Sequence, residues 1–108
     1  MSIGKELLKG STVTLVLKVI SEEETYGYRI AAELERRSNG AFRLKEGTLY
    51  PILHALEREG YIVSRLGISD SGRERRYYAI TVSGAAHLAA RVEEWQIFSS
   101  SVAHVLEG

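Results

Sequence analysis

The chain has 108 residues and no cysteine, and its 14 Lys or Arg balance 14 Asp or Glu to a formal net charge of zero. Such a length bounds one domain with one modest core. The charge balance gives no global sign of a nucleic-acid partner, and the lack of cysteine excludes a disulfide framework or a thiolate metal site. No apolar run approaches the ~20 residues of a membrane span, and the N-terminus lacks the pattern of a secretory signal, so a cytoplasmic protein is expected.

In chain order, residues from about Ile3 to Ile20 read as a helix. Leu8, Leu15, Val16 and Val19 share one face, and Val13, Leu17 and Ile20 widen the apolar surface toward a second side. A helix apolar on more than one side is buried from two directions, and in so small a domain one direction fits a second subunit. Gly10-Ser11-Thr12 weakens its middle and suits close helix–helix approach. Glu22-Glu23-Glu24 reads as a solvated turn, after which Thr25 can cap a helix from Tyr26 to about Arg37. Tyr26, Ile30, Ala31 and Leu34 form its buried stripe; Tyr28, Arg29, Arg36 and Arg37 point elsewhere. Ser38-Asn39-Gly40 stops it, with Gly40 suited to the left-handed position after the last turn. Phe42 and Leu44 alternate with Arg43 and Lys45 as an extended link.

The next helix is the centre of the chain. Leu49, Ile52, Leu53 and Leu56 fall at i, i+3, i+4 and i+7, one apolar stripe. Thr48, Tyr50, His54, Glu57 and Arg58 occupy the other face, and Gly60 ends the helix. A proline inside a helix costs roughly 3 kcal/mol, which favours a start with Thr48 as N-cap and Pro51 still in the first turn; Gly47 would then allow close backbone approach from outside. Tyr61-Ile62-Val63 and Tyr77-Tyr78-Ala79-Ile80 are strand signals. Between them Arg65 to Arg76 carries the turn Asp70-Ser71-Gly72, followed by Arg73, Arg75 and Arg76, whose planar forks suit phosphate. Helix, strand, basic loop, strand is the layout of a winged helix. From Arg29 to Arg76 there are ten Lys or Arg against seven Asp or Glu, a local basic excess.

The last element runs from about Val82 to Leu106. Leu88, Val92, Trp95, Ser99, Val102 and Leu106 recur at alternating steps of four and three, a coiled-coil seam, with Ile97, Phe98 and Val105 beside it. This surface exceeds what the domain can cover, so a partner helix is expected. His54, His87 and His104 share no metal-ligand spacing, and no nucleophile–base pair or phosphate loop is visible. Neither an enzyme nor a metal or cofactor is expected.

Gly47-Thr48-Leu49-Tyr50-Pro51-Ile52-Leu53, then LEREGYI, then RRYYAIT with Gly84 three residues after Thr81, resemble the PadR family of bacterial transcriptional regulators. LLKGSTVTLVL near the start and YGYRIAAEL in the second helix add to the resemblance, which covers essentially the whole chain. It implies a mainly α fold with a small β-hairpin: a winged helix-turn-helix over residues 1–80 and a C-terminal dimerisation helix over 81–108, swapped against the partner of a homodimer. It implies a repressor that binds double-stranded DNA at an inverted repeat. Lys45, Gly47, Thr48, Tyr50, Pro51, His54, Arg73, Arg75 and Arg76 are then the DNA-binding candidates, and Leu88, Val92, Trp95, Val102 and Leu106 the dimerisation candidates. Short members of the family hold flat aromatic compounds between paired tryptophans, which marks Trp95 as the ligand-binding candidate. Two departures stand out. Lys45-Glu46 replaces a capping Ser and Pro common in the family, and Asp70 and Glu74 dilute the positive charge of the wing. A winged helix that binds protein instead of DNA is the competing expectation.

Overall fold

The computed structural model describes residues 5–108, with side chains from Gly10 onward. The expected helix start at Ile3 and the side chain of Leu8 lie outside the described residues. The elements are α1 (Lys5–Glu22), β1 (Thr25–Tyr26), α2 (Gly27–Arg37), α3 (Glu46–Arg58), β2 (Ile62–Ile68), β3 (Glu74–Ile80) and α4 (Val82–Glu107). They form a winged helix-turn-helix with a long C-terminal helix, and one antiparallel sheet in the order β1-β3-β2.

The core follows from the apolar stripes. Val16, Leu17, Val19 and Ile20 of α1 meet Ile30 and Leu34 of α2, Leu49, Leu53 and Leu56 of α3, Ile62 and Tyr78 of the sheet, and Leu88 of α4. Four buried residues among five consecutive positions put α1 at the centre, covered from more than one side. Val13 stays partly exposed, one turn earlier.

Two local expectations need correction. Thr25 does not cap α2. It is fully buried in β1 opposite Tyr78, and Tyr26, in extended conformation, precedes the helix without a side-chain cap. The Thr25 hydroxyl instead accepts from Arg29 Nη1 at 3.3 Å. The strand was hidden because two residues carry no periodicity. Secondly, the first left-handed residue after the Ser38 cap is Asn39 (φ 53°); Gly40 (φ 83°) is left-handed as expected, one position later. Their amides return to the carbonyls of Arg36 and Glu35 at 3.3 and 2.8 Å, closing the last turn.

Glu22-Glu23-Glu24 is exposed at the end of α1, as expected, and each glutamate is also paired. Glu22 accepts from Arg37 Nη1 at 3.0 Å, Glu23 pairs with Arg29 at 2.9 Å, and Glu24 accepts from Arg65 Nε at 2.9 Å. Each glutamate thus ties the end of α1 to a different place: the two ends of α2 and strand β2. The Arg37 hydrogen bond holds Glu22 below the usual carboxylate range, and Arg65 does the same for Glu24. Glu33 bridges Arg36 and Arg37 within α2 and is pulled down to about 2 by their hydrogen bonds.

α4 begins where α3 ends. α3 closes through Gly60 (φ 80°): the Tyr61 amide reaches the Leu56 carbonyl at 2.9 Å and the Gly60 amide reaches Glu57 at 3.0 Å, a paired closure that needs a left-handed residue. Thr81 caps α4, accepting from the Gly84 amide at 3.0 Å and donating to the Gly60 carbonyl at 2.7 Å. Ser83 donates to that same carbonyl at 3.1 Å. Gly84 presses on the Tyr61 backbone so closely that a Cβ would overlap its carbonyl oxygen and come within 2.8 Å of Ile80 Cγ1. His87 then stacks on the Tyr61 ring, with centroids 4.1 Å apart.

Candidate nucleic-acid interface

α3 starts at Glu46, three residues earlier than the Thr48 cap would allow, and Pro51 lies inside it. The Lys45 carbonyl accepts from the third and fourth helical amides, Thr48 and Leu49, each at 2.9 Å. No side chain caps this end, but Glu46 in the first turn complements the helix dipole. Pro51 leaves the Gly47 carbonyl without a helical donor. That loss is tolerable because both residues lie on the exposed face, where water can substitute.

The early start places the sequence candidates together. Lys45, Gly47, Thr48, Tyr50, Pro51 and His54 are all exposed, while Leu49, Leu53 and Leu56 face the core. Thr48, released from capping, presents its hydroxyl outward. A Cβ on Gly47 would meet nothing within 4 Å, so the helix backbone is open to close approach there. Tyr50 is only 42 % exposed because its ring lies along the start of α2, its hydroxyl 3.6 Å from where a Gly27 Cβ would stand. Behind Tyr50, burial pushes the Tyr78 hydroxyl up from its ordinary value, with Tyr50 adding in the same direction.

The wing is β2 and β3, joined by the turn Ser69–Arg73. Ser69 N–H reaches the Arg73 carbonyl at 2.8 Å, and Gly72 supplies a left-handed φ of 81°. Strand pairing runs from Ile62↔Ile80 out to Ile68↔Glu74, so Arg75 and Arg76 belong to a strand and not to the loop. Alternation then divides them. Arg76 lies on the α3 side, where Nη1 donates to Ser64 Oγ at 3.1 Å, and Ser64 Oγ donates to Glu57 Oε2 of α3 at 2.6 Å. Arg75 lies on the outer side, its guanidinium 3.9 Å over the Tyr26 ring. Arg65 shares that outer side, 4.9 Å over Tyr77 and held by Glu24.

Among the described residues Lys45, Arg58 and Arg73 make no ion pair, so their charges are uncommitted. Two residues that sequence reasoning did not single out border this face. Tyr28 is 82 % exposed beside Lys45 and Tyr50, where a groove of about 420 Å³ separates α2 from the start of α3. Ser64 joins α3 to the wing. The alternation of Ser64 with Val63 and Arg65 was the available signal for its facing α3.

The dimerisation candidates divide as well. Leu88 is 8 % exposed and belongs to this chain's own core. Val92, Trp95, Val102 and Leu106 are exposed, as are Ile97, Phe98 and Val105. Trp95 and Phe98, with ring centroids 5.9 Å apart, line an open apolar groove of about 750 Å³ between α1 and α4, whose other walls include Leu15, Phe42 and Val92. Gly10 borders it, and among the described residues a Cβ there would meet nothing within 4 Å.

An exposed polar helix backed by a helix-turn-helix core, with a two-stranded wing at its end, defines the winged-helix class of DNA-binding proteins. The sequence matches the Transcriptional regulator PadR-like family over residues 16–90. A transcriptional regulator of Mycobacterium tuberculosis is 36 % identical over 84 residues, covering 78 % of this chain and 75 % of that protein. The crystal structure of a PadR-like transcriptional regulator from Bacillus cereus superposes with a TM-score of 0.85 at 33 % identity, over 96 % of this chain and 99 % of the other. A transcriptional regulator from Clostridium thermocellum gives a TM-score of 0.84 at 29 % identity, over 93 % and 97 %. The chain belongs to the PadR-like family of DNA-binding transcriptional regulators. No helix among the described residues is long and apolar enough to cross a membrane, and no group of three or more metal-binding side chains occurs among them.

Proposed function

We propose that this chain is a cytoplasmic, homodimeric repressor that occludes a promoter by binding an inverted repeat. The observation that carries the reading is the exposed face of α3, which sets Thr48, Tyr50 and His54 beside the open backbone of Gly47 with uncommitted Lys45 at its start. Residues 1–80 make the DNA-binding part and residues 81–108 the dimerisation helix. Thr48, Tyr50 and His54 read bases in the major groove, and Lys45, Arg73 and Arg76 hold phosphates. A partner's α4 covers Val92, Trp95, Val102 and Leu106 and fills the groove against α1. Two-fold symmetry then sets the recognition helices about 34–36 Å apart, one helical turn.

A planar aromatic effector that releases the DNA is part of the same reading. Its support is that Trp95 stays 53 % exposed while packed beside Phe98 on the unpartnered helix face. Facing copies of the indole would offer a stacking slot to a flat guest.

The test is selection of duplexes from a random pool, followed by salt titration. Enrichment of inverted repeats, with affinity falling steeply as salt rises, is the expected result. Tyr50→Phe and His54→Ala should change which sequences are enriched. Absence of any salt-dependent duplex binding would instead fit a winged helix that docks on protein. Val102→Asp should convert a sedimenting dimer to monomer, because it places a charge on the seam without touching the core.

A further inference from the structure

Ser64 occupies an unusual place between two charges. Its hydroxyl has one proton to give, and that proton goes to Glu57 Oε2 at 2.6 Å; its oxygen accepts from Arg76 Nη1 at 3.1 Å. Glu57 belongs to the last turn of the recognition helix and Arg76 to the wing, yet among the described residues the two form no direct ion pair. The hydroxyl satisfies both and stands between them. Arg76 is exposed and has five N–H donors, so one hydrogen bond to Ser64 leaves the rest for another acceptor.

Resting on the DNA-binding reading above, we propose that Ser64 is a positioning residue for the phosphate contact of the wing: it orients Arg76 and keeps Glu57 from neutralising it. An arginine held in place loses less side-chain freedom when a phosphate arrives. Without the hydroxyl, Glu57 and Arg76 are free to close on each other. The carboxylate then competes with the phosphate for the same guanidinium. Ser64 touches neither base nor phosphate in this scheme and acts only through Arg76.

The experiment uses the full chain and a mixed-sequence duplex of ~30 base pairs, about three helical turns, because phosphate contacts are independent of sequence. Binding is measured across a salt series for wild type, Ser64→Ala, Glu57→Gln, the double variant and Arg76→Ala, with thermal unfolding alongside. Ser64→Ala should reduce the steepness of log affinity against log salt by about one unit, the value for one lost phosphate. Adding Glu57→Gln should restore it, because a neutral amide cannot hold the arginine as an ion pair. Arg76→Ala should lose the same unit and be indifferent to further removal of Ser64. A purely structural role for Ser64 would lower the unfolding temperature and leave the salt slope at its wild-type value; that result overturns the proposal, as does failure of Glu57→Gln to restore the slope. If wild type itself shows no salt-dependent binding, the DNA-binding reading fails and takes this one with it, a result separable from the first two.

Discussion

Arg75 and Arg76 are neighbours in sequence and face opposite ways: Arg75 covers the Tyr26 ring of β1 at 3.9 Å, and Arg76 reaches Ser64 on the side of the recognition helix at 3.1 Å. A basic run read as one patch is therefore two devices, one bracing the wing against β1 and one turned toward α3. Arg73→Ala should lower the salt slope for duplex binding by about one unit. Arg75→Ala should leave that slope nearly unchanged and cost about 0.5–1 kcal/mol of stability, the range for an exposed cation–π contact. Equal loss of slope in the two variants would contradict this division.

Two glycines of the family-like motifs should answer substitution in opposite ways. At Gly84 a methyl group has no room against the Tyr61 carbonyl, and Gly84→Ala should destabilise the fold by at least ~2 kcal/mol, as overpacking against backbone does. At Gly47 a methyl group meets nothing within 4 Å. Gly47→Ala should leave stability unchanged or raise it by up to ~1 kcal/mol through helix propensity, while weakening duplex binding where the backbone must approach closely. Chemical denaturation and a binding isotherm on each variant decide both halves.

Trp95 is the single tryptophan, so its fluorescence reports one site per subunit. Planar dyes should quench it in a saturable manner, and Trp95→Ala, which leaves no tryptophan emission, should abolish dye binding read from the dye's own fluorescence while the dimer persists. If the indole is instead packed at the dimer centre, dyes will not quench, and Trp95→Ala will cost the dimer about 3–5 kcal/mol, the usual penalty for an aromatic cavity.

Acid should loosen the molecule through three glutamates. Glu33 is held at about 2 by Arg36 and Arg37, and Glu22 and Glu24 lie below their ordinary 4.5 through Arg37 and Arg65. A carboxyl whose folded pKa is depressed contributes stability that is complete above its unfolded value and lost as pH falls through the folded one. The unfolding temperature should therefore hold down to pH 4.5 and decline toward pH 2. Arg37→Ala, which removes a partner from both Glu22 and Glu33, should make that decline shallower.

Much of the fold was legible because its signals are periodic. The stripe through Leu49, Leu53 and Leu56 fixes which face of α3 is inward, and Gly60 marks its end. What escaped was set by partners distant in sequence. Thr25 looks like a cap until Tyr78 pairs with it, and nothing near Glu24 in sequence announces its pairing with Arg65, 41 residues away. Pro51 misled through a sound penalty applied to the wrong alternative, since an exposed first turn tolerates a missing helical donor. The division of the candidate site between two faces of β3 follows from strand length: only with pairing extended to Ile68↔Glu74 do Arg75 and Arg76 alternate.

The junction at Gly60 has a mechanical consequence. Its carbonyl, the last of the recognition-helix turn, receives hydroxyl hydrogen bonds from both Thr81 and Ser83 at the head of α4. Gly84 and His87 bear on the next residue, Tyr61. With 26 residues at about 1.5 Å each, α4 is a lever roughly 39 Å long, and a tilt of about 5° at its pivot sweeps the free end through some 3 Å by simple arc length. A tilt large enough to stretch these hydrogen bonds would pull on the end of α3 as well, because both bonds finish on the Gly60 carbonyl. The head of α4 and the end of α3 thereby share one anchoring atom, the Gly60 carbonyl oxygen.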